Sequence, residues 1–225
     1  MATEPTTERR AARVPLNRER VLQAAVAIAD RDGIAALSMR RLGRELGVEA
    51  MSLYNHVDGK EDLERGIVEV VLAEIEHPAP GRDWKEEIRR TAVSSHDAFV
   101  RHRWSCSLLT HGGGVSRVRM QWMEAVLGTF RQAGFSPNLT HHAYHAIDSH
   151  ITGFTLWQVG MPFRTREELV DLAAGFLERI PADEFPYVVE HAHEHIAPPD
   201  PAEKPEFEFG LDLILDGLER LHDAE

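Results

Sequence analysis

The sequence predicts an all-α protein, in which an N-terminal three-helix helix-turn-helix domain is joined by a connecting helix to a larger helical bundle. Apolar residues recur at the helical spacing of about 3.6 residues along most of the chain. Residues 38–56 place two short helices around a glycine, and a break rich in Pro and Gly at residues 77–81 divides the chain. The 225 residues, 43% of them hydrophobic, suffice for one large or two modest domains.

The charge is unevenly distributed, although the net charge of −12 at first argues against a nucleic-acid partner. Residues 1–60 hold 10 Arg and Lys against 8 Asp and Glu, a net of +2, whereas residues 61–225 hold 15 against 29, a net of −14. Arginines crowd the first 20 residues, where they either contact phosphates or form a solubilising tail. They are Arg9, Arg10, Arg13, Arg18 and Arg20. The acidity therefore lies outside the N-terminal segment.

Composition also indicates the cellular location of the protein. The longest uncharged apolar run is too short to span a bilayer, and the N-terminal residues lack the apolar segment of a secretion signal. A single cysteine, Cys106, leaves no intrachain disulfide to form. These features predict a cytoplasmic protein without a membrane association.

The N-terminal domain is predicted at residues 16–76, after a disordered basic arm at residues 1–15. Asn17 is expected to cap a first helix that runs to about Arg31, and Gly33 to end it.

The next two helices form the predicted helix-turn-helix. Ser38 caps the first of them, Gly47 supplies the left-handed turn, and the second spans about residues 50–55. The side chains expected to point inward are Leu42, Leu46, Val48 and Leu53. In such a motif the second helix lies in the major groove of DNA.

A fourth helix connects the two domains. Asp58 and Glu61 have the spacing of a capping box at its start. Its predicted apolar face consists of Leu63, Ile67, Val71 and Ile75. The break at residues 77–81 ends this helix and marks the domain boundary.

Residues 82–225 are predicted to form a helical ligand-binding and dimerisation domain. Capping signals begin three of its helices, at Asp83, at Ser136 followed by Pro137, and at Thr165. The expected helices lie at about residues 83–103, 115–132, 137–159, 166–178, within 183–195, and 207–221.

The last of these helices has an apolar face too wide for a lone surface helix. The face comprises Phe207, Leu211, Ile214, Leu215 and Leu218, with Leu221 beyond them. Its own domain or a second subunit could cover it. Because helix-turn-helix proteins generally bind two half-sites, we predict that these residues form a homodimer interface.

Several segments together resemble the TetR family of bacterial transcriptional regulators. Residues 17–76 resemble the family's DNA-binding domain, above all in LSMRRLGRELGV (37–48) and MSLYNHVDGKEDL (51–63). Residues 134–154 and 207–219 resemble a tetracycline-repressor-type regulatory domain less specifically. The resemblance implies a homodimeric repressor, not an enzyme, that binds a palindromic double-stranded operator and responds to a small-molecule effector.

The resemblance also implies a DNA contact surface, formed by Arg40, Ala50, Met51, Ser52, Tyr54, Asn55, His56 and Lys60. Their chemistry suits this role, since arginine contacts phosphate or guanine and asparagine contacts adenine. The alternative is that Tyr54 and His56 pack against neighbouring helices. The tetracycline repressor has glutamine and proline at the positions of Ala50 and Met51, so a different operator sequence is expected.

Metal and catalytic sites are not predicted, and neither is a cofactor. His141 and His145 have the spacing of a zinc half-site but lack further ligands nearby, and the histidines at 191, 193 and 195 do not share one helical face. The tetracycline repressor's magnesium-site histidine and glutamate correspond to His150 and Gln158, so magnesium-chelated tetracycline is not the expected ligand.

An apolar effector pocket is predicted from aromatic and polar residues of the C-terminal domain. The candidates are Trp104, His111, Trp122, Met123, His150, Phe154 and Trp157. Aromatic residues at helical spacing also form ordinary cores, and this alternative stays open. A competing hypothesis is a helical ligand-binding or enzymatic protein whose N-terminal bundle mediates protein contacts; the charge distribution and the LYNH segment argue against it.

Overall fold

The structure, a computed structural model, describes residues 15–111, 116–197 and 203–225. These ranges contain helices and no strand, which confirms the predicted all-α class. The helices are α1 (Arg18–Asp32), α2 (Met39–Leu46), α3 (Ala50–Leu53), α4 (Lys60–Leu72), α5 (Trp84–Arg101), α6 (Ser105–His111), α7 (Arg117–Gln132), α8 (Pro137–Gly160), α9 (Arg166–Leu177), α10 (Pro186–Ile196) and α11 (Glu206–His222). A 3-10 turn at Ile34–Ala36 follows α1.

The chain forms two compact units, one up to Val70 and one from Val71 to Glu225. They are called the N-terminal and C-terminal units below. The predicted basic arm at residues 1–15 lies, except for Pro15, outside the described residues. None of the described helices is both long and apolar enough to cross a membrane.

Side-chain caps begin the first two helices of the N-terminal unit, as predicted. The Asn17 side chain accepts a hydrogen bond from the Arg20 N–H at 2.9 Å, and Ser38 accepts one from the Arg41 N–H at 3.3 Å. The buried apolar residues of α1 face the interior of the unit; they are Val21, Leu22, Ala25, Val26, Ile28 and Ala29. The sequence therefore fixes the position of α1 and of the start of α2 through local signals.

The start of α4 differs from the prediction. The Asp62 carboxylate, rather than Glu61, accepts a hydrogen bond from the Asp58 N–H at 3.1 Å, and the helix begins at Lys60. The same Asp62 carboxylate also accepts two hydrogen bonds from the Arg18 guanidinium. The predicted apolar face is confirmed, since Leu63, Ile67, Val71 and Ile75 are all buried.

In the C-terminal unit, α8 packs against α5, α6, α7 and α11. The predicted caps at Asp83, Ser136 and Thr165 are confirmed, and Thr165 forms a full capping box with Glu168. The core of this unit is apolar and aromatic; it includes Ile88, Ala92, Phe99, Trp122, Val126, Phe130, Phe135, Ile147, Ile151, Leu211 and Leu215.

The helix predicted at residues 83–103 is interrupted. It ends at Arg101, and a separate helix, α6, begins at Ser105. The break contains no Gly or Pro; instead the chain turns so that His102 and Trp104 are both buried, with their rings 6.1 Å apart. Tertiary packing therefore overrides a sequence that has no local stop signal.

Helices α9 and α10 pack against each other on the surface of the unit. Neither helix has a buried residue. Apolar side chains on both helices remain exposed, among them Leu172, Phe176, Tyr187 and Val188.

Candidate functional site

The turn between α2 and α3 has the predicted helix-turn-helix geometry. Gly47 lies in the left-handed region, at φ 66° and ψ 35°, a conformation that glycine adopts without steric cost. The Val48 N–H donates to the Gly43 carbonyl at 2.9 Å and closes the turn. The start of α3 is thereby held against the end of α2.

A second glycine permits this close approach, and sequence reasoning did not identify it. A β-carbon at Gly43 would lie 2.9 Å from the Val48 carbonyl oxygen and 3.2 Å from the Ala50 nitrogen. Both neighbours are backbone atoms that cannot rotate away. A glycine inside the short amphipathic α2 was the available signal, since glycine lowers helix stability unless close packing requires it.

Buried leucines anchor the two helices from beneath. Leu42 and Leu53 are fully buried, as predicted, and Val57 is buried after α3. Leu46 and Val48, also predicted to face inward, are only half-buried. This anchoring leaves the opposite face of α2 and α3 open to solvent.

The eight predicted DNA contacts lie in and around this open face. Five have exposed side chains: Arg40, Met51, Tyr54, Asn55 and Lys60. The other three, Ala50, Ser52 and His56, are half-buried. Exposure reaches 75% at Met51 and 48% at Tyr54, so neither side chain is used to fill the core of the unit. Helix α3 ends at Leu53 rather than Asn55, and residues 54–56 continue as a turn.

The arginines of this unit fall into two groups. Arg31 pairs with Asp32 and Glu45, and Arg41 pairs with Asp32 at 2.5 Å. In the part of the chain that the structure describes, the exposed side chains of Arg40 and Arg44 have no such partner. They are therefore available for phosphates.

Arg44 was not among the predicted contacts. It lines a shallow surface notch together with Gly43, Gly47, Val48, Glu49 and Ser52. Its place in the last turn of α2 brings it beside Ser52 of α3, a neighbourhood that the linear sequence does not reveal.

Two arginines of the basic N-terminal cluster make intramolecular contacts instead. Arg18 donates to both carboxylate oxygens of Asp62, at 2.6 and 2.9 Å, and to the His56 carbonyl at 2.9 Å. Arg20 donates to the Pro15 carbonyl at 3.0 Å. Arg9, Arg10 and Arg13 lie outside the described residues. Arg18 thus has a structural role in its own unit, which neither of the two alternatives, phosphate contact or a solubilising tail, had included.

The C-terminal unit contains a cavity of about 850 Å³, lined by α5, α6, α7, α8 and the end of α4. Its walls are largely apolar, with a few polar side chains. The lining residues are Leu72, Ile75, Ser95, Phe99, Leu109, Arg119, Met120, Trp122, Met123, Tyr144, His145, Asp148, Ser149, Ile151, Thr152 and Gly153. Size and composition match a small-molecule site.

The predicted pocket residues do not come together at this cavity. Among the predicted residues whose side chains the structure describes, only Trp122 and Met123 line it. Phe154 and Trp157 line a separate cavity of about 230 Å³ beside Phe207. The remaining three are placed differently again. His150 donates from Nε2 to the Phe207 carbonyl at 2.9 Å, Trp104 is buried, and the His111 side chain lies outside the described part of the structure.

Four ionisable side chains are among the described residues that line the larger cavity: Arg119, Tyr144, His145 and Asp148. Burial raises the pKa of Asp148 above its usual range, and the charges of Arg119 and His145 partly oppose this effect. Burial also raises the pKa of Tyr144, and the Asp148 charge adds to the shift. The rings of His145 and His141 meet edge-on, with their centroids 4.6 Å apart. Across the described residues, no three His, Cys, Asp or Glu side chains lie close enough together to hold a metal ion.

The residues predicted to form a dimer interface mostly face their own chain. Phe207, Leu211, Leu215 and Leu218 are buried within the C-terminal unit, and Ile214 is half-buried. They pack there because α11 lies against α5 and α8. On the outward side, α11 exposes a second apolar stripe: Phe209, Leu213 and Leu221. The apolar surface that α11 leaves exposed on its own unit is this outer stripe.

These features define a class, that of DNA-binding regulatory proteins with a helix-turn-helix and a separate helical unit that holds a cavity. Two protein-family models match the chain and support this class. The model described as "Bacterial regulatory proteins, tetR family" matches residues 21–65, and the one described as "Tetracyclin repressor-like, C-terminal domain" matches residues 77–222. The chain belongs to the TetR family of bacterial transcriptional regulators.

Individual relatives extend the likeness over most of the chain. The HTH-type transcriptional repressor DrrR1 of Streptomyces coeruleorubidus is 32% identical over 96% of this chain and 83% of its own length. The class C tetracycline repressor protein of Escherichia coli is 29% identical, over 92% of each chain. ActR of Streptomyces coelicolor, solved in complex with actinorhodin, is 30% identical with a TM-score of 0.72, covering 92% of this chain and 96% of that one.

Proposed function

We propose that this protein is a homodimeric transcriptional repressor that binds a palindromic operator and is released from it by a small, mostly apolar molecule. One observation carries the proposal: the exposed face of α2 and α3, on which Arg40, Met51 and Tyr54 have no packing role in the N-terminal unit. The name of DrrR1 as a transcriptional repressor and the binding of actinorhodin by ActR support it.

Each exposed group has a chemical role on DNA. Arg40 and Lys60 contact phosphates or, for Arg40, a guanine edge. Met51 contacts a thymine methyl group, and Asn55 pairs with adenine. Tyr54 offers a flat apolar surface and a phosphate-binding hydroxyl. Ala50, Ser52 and His56 complete the surface at its less exposed positions.

Two copies of this surface are needed for a palindromic site, and α11 provides a means of joining them. Its outer stripe of Phe209, Leu213 and Leu221 is more than half exposed at each position. Apolar side chains at this density favour association with an identical stripe in a two-fold dimer. Dimerisation then sets the distance between the two recognition surfaces.

The cavity offers a route from effector to DNA. Leu72, the last residue of α4, lines it together with Ile75, so a bound molecule contacts the end of the helix that follows the helix-turn-helix. For release, the effector must bind the DNA-incompetent conformation more tightly, typically by about 1–3 kcal/mol of coupling. Because bacterial DNA lies in the cytoplasm, we place the protein there as well.

The proposal is tested by selecting bound sequences from a random double-stranded DNA library with the full-length protein. Selected sequences should contain an inverted repeat. Affinity for that repeat should fall with salt, with a slope of about −0.9 per phosphate contacted. Arg40→Ala and Tyr54→Ala should each weaken binding at least several-fold.

Arg41→Ala provides the matched control. Arg41 neighbours Arg40 but is engaged with Asp32, so its loss should leave operator affinity and salt slope nearly unchanged. Recovery of no enriched sequence, or wild-type affinity in both Arg40→Ala and Tyr54→Ala, would overturn the proposed function.

A further inference from the structure

Two opposite charges face the 850 Å³ cavity from neighbouring helices, Arg119 on α7 and Asp148 on α8. Within the described residues, neither the guanidinium of Arg119 nor the carboxylate of Asp148 has a hydrogen bond or an ion pair, whether with each other or with another side chain. Three arginines of α5 differ in this respect, since Arg89, Arg90 and Arg101 each pair with a carboxylate.

An unpaired carboxylate in such a place costs free energy. Apolar side chains make up much of the cavity wall, including Phe99, Met120 and Ile151. Loss of water raises the pKa of Asp148, and Arg119 and His145 compensate only in part. The Asp148 carboxylate therefore gains most from a ligand that supplies a hydrogen-bond donor or a positive charge.

The neighbouring titratable groups do not supply that partner. The Cys106 thiol contacts the Thr152 carbonyl at 3.8 Å, and burial raises its pKa to about 11, so it stays protonated and uncharged. Burial likewise keeps the Tyr144 phenol neutral by raising its pKa. His145 is exposed, and among the described residues no ion pair joins it to Asp148.

The walls favour a flat aromatic body for the ligand. Trp122 lines the cavity, and its N–H donates to the Thr91 hydroxyl at 3.1 Å, so the indole offers the cavity an apolar surface. Phe99, Met120 and Met123 add aromatic and sulfur surface. Both pack well against aromatic rings.

We propose that the effector is an aromatic zwitterion, which places a cationic amine against Asp148 and an acidic oxygen against Arg119. This inference rests on the proposed function of the cavity as the effector site. The two cavity charges balance, so a ligand with a single charge would satisfy one of them and leave the other, half-buried, without a partner. A ligand with both charges satisfies both.

Three dyes of similar shape but different charge distinguish a zwitterionic ligand from a singly charged one. A rhodamine with a free carboxylate is a zwitterion, its methyl ester is a cation, and fluorescein, in which oxygens replace the amines, is an anion. Binding of each to the full-length protein, without DNA, is measured by fluorescence anisotropy. The zwitterion should bind tightest, by about tenfold or more over each singly charged analogue.

Two substitutions assign the charges to residues. Asp148→Asn should weaken the zwitterion and the ester by about tenfold or more while sparing fluorescein. Arg119→Gln should weaken the zwitterion and fluorescein while sparing the ester. Asp171→Asn and Arg117→Gln, at exposed positions outside the cavity lining, are the matched controls and should change nothing. Circular dichroism checks that each variant keeps its helices.

The inference is overturned if the zwitterion fails to bind, if the three dyes bind equally, or if the two substitutions leave their ranking unchanged. A preference for one singly charged dye also overturns it. Binding to the selected operator is measured separately with the same variants. If operator binding persists while the zwitterion preference fails, only the ligand class is wrong. If no operator is found, the proposed function fails, whatever the dyes do.

Discussion

Arg18 and Asp62 are joined by two hydrogen bonds, 2.6 and 2.9 Å long, which tie the first turn of α1 to the first turn of α4. The same guanidinium donates to the His56 carbonyl, and the Asp62 carboxylate also accepts from the Asp58 N–H. The pair therefore fixes the segment that follows the recognition helix. An arginine close to the basic N-terminus thus helps to position the helix-turn-helix from within the unit.

Asp62→Ala should destabilise the N-terminal unit by about 1–2 kcal/mol. This loss of stability is smaller than that for a buried ion pair, because the Arg18 side chain is 44% exposed and water screens the interaction. Hydrogen–deuterium exchange of the full-length protein checks it, as amides of α1 and α4 should exchange faster in the variant. Glu61→Ala is the control: Glu61 is exposed and has no such partner among the described residues. Equal exchange in both variants would contradict the prediction.

The same pair predicts a pH dependence of stability. The hydrogen bonds from Arg18 hold the pKa of Asp62 well below its usual range. Because the folded pKa is the lower one, the unfolded chain takes up the proton first, and acidification favours unfolding. The contribution is present above the unfolded pKa of about 3.9 and is lost as the pH falls through the folded pKa. The difference in unfolding free energy between wild type and Asp62→Ala should therefore be constant near neutrality and shrink in acid.

Gly43→Ala should destabilise the turn between α2 and α3. The new methyl group would meet the Val48 carbonyl oxygen at 2.9 Å, and the helices must separate to admit it. Overpacking of this kind typically costs about 1–3 kcal/mol. Since Ala50 begins the recognition helix, operator affinity should fall together with stability, which thermal unfolding and a DNA titration would measure.

Gly175→Ala is the matched control for Gly43. Gly175 also lies within a helix, α9, but a β-carbon there meets nothing within 4 Å. The alanine should therefore leave stability unchanged or raise it by up to about 1 kcal/mol. If both alanine variants behaved alike, the close approach of α2 and α3 would not be what requires Gly43.

Local signals explain why much of the fold could be predicted from the sequence. Asn17, Ser38 and Thr165 cap helices with their own side chains, and Gly47 adopts the turn conformation that only a few residues tolerate. Such signals act within four residues, so a linear sequence contains them. The break after Arg101 has no such signal, because the burial of His102 and Trp104 causes it.

The cavity and the orientation of α11 could not be predicted for the same reason. Arg119 and Asp148 are 29 positions apart, and only the packing of α7 against α8 brings both to one cavity. The sequence of α11 contains two apolar stripes, one with Leu211 and one with Leu213. Helical periodicity identifies each stripe but does not determine which one its own unit buries.

Met51→Ala should change operator specificity without changing stability. The Met51 side chain is 75% exposed, so its removal leaves no cavity in the unit. Loss of an apolar contact with a thymine methyl group should relax the preference at that base pair, by up to about 1 kcal/mol. Selection from the same random library with wild type and variant measures this effect. An unchanged selected sequence would mean that Met51 does not contact a base.

Leu213→Glu should convert the proposed dimer into monomers. Leu213 lies in the middle of the outer stripe of α11, between Phe209 and Leu221, and 58% of its surface is exposed in the single chain. A carboxylate placed there would be buried beside its symmetry mate in a two-fold interface, where like charges repel without compensation. Sedimentation velocity at micromolar concentration should show the monomer, and binding to a two-half-site operator should weaken strongly because the two surfaces are no longer linked.

Met51→Glu separates the two effects, since it makes the same change at an exposed apolar residue of the N-terminal unit. It should keep the dimer and lose operator binding, because the new carboxylate would face the negatively charged groove. Leu213→Glu should also retain its helical content and its affinity for a single half-site. A Leu213→Glu protein that sediments as a dimer would show that the outer stripe of α11 is not the interface, and would leave the exposed apolar face of α9 and α10 as the candidate interface.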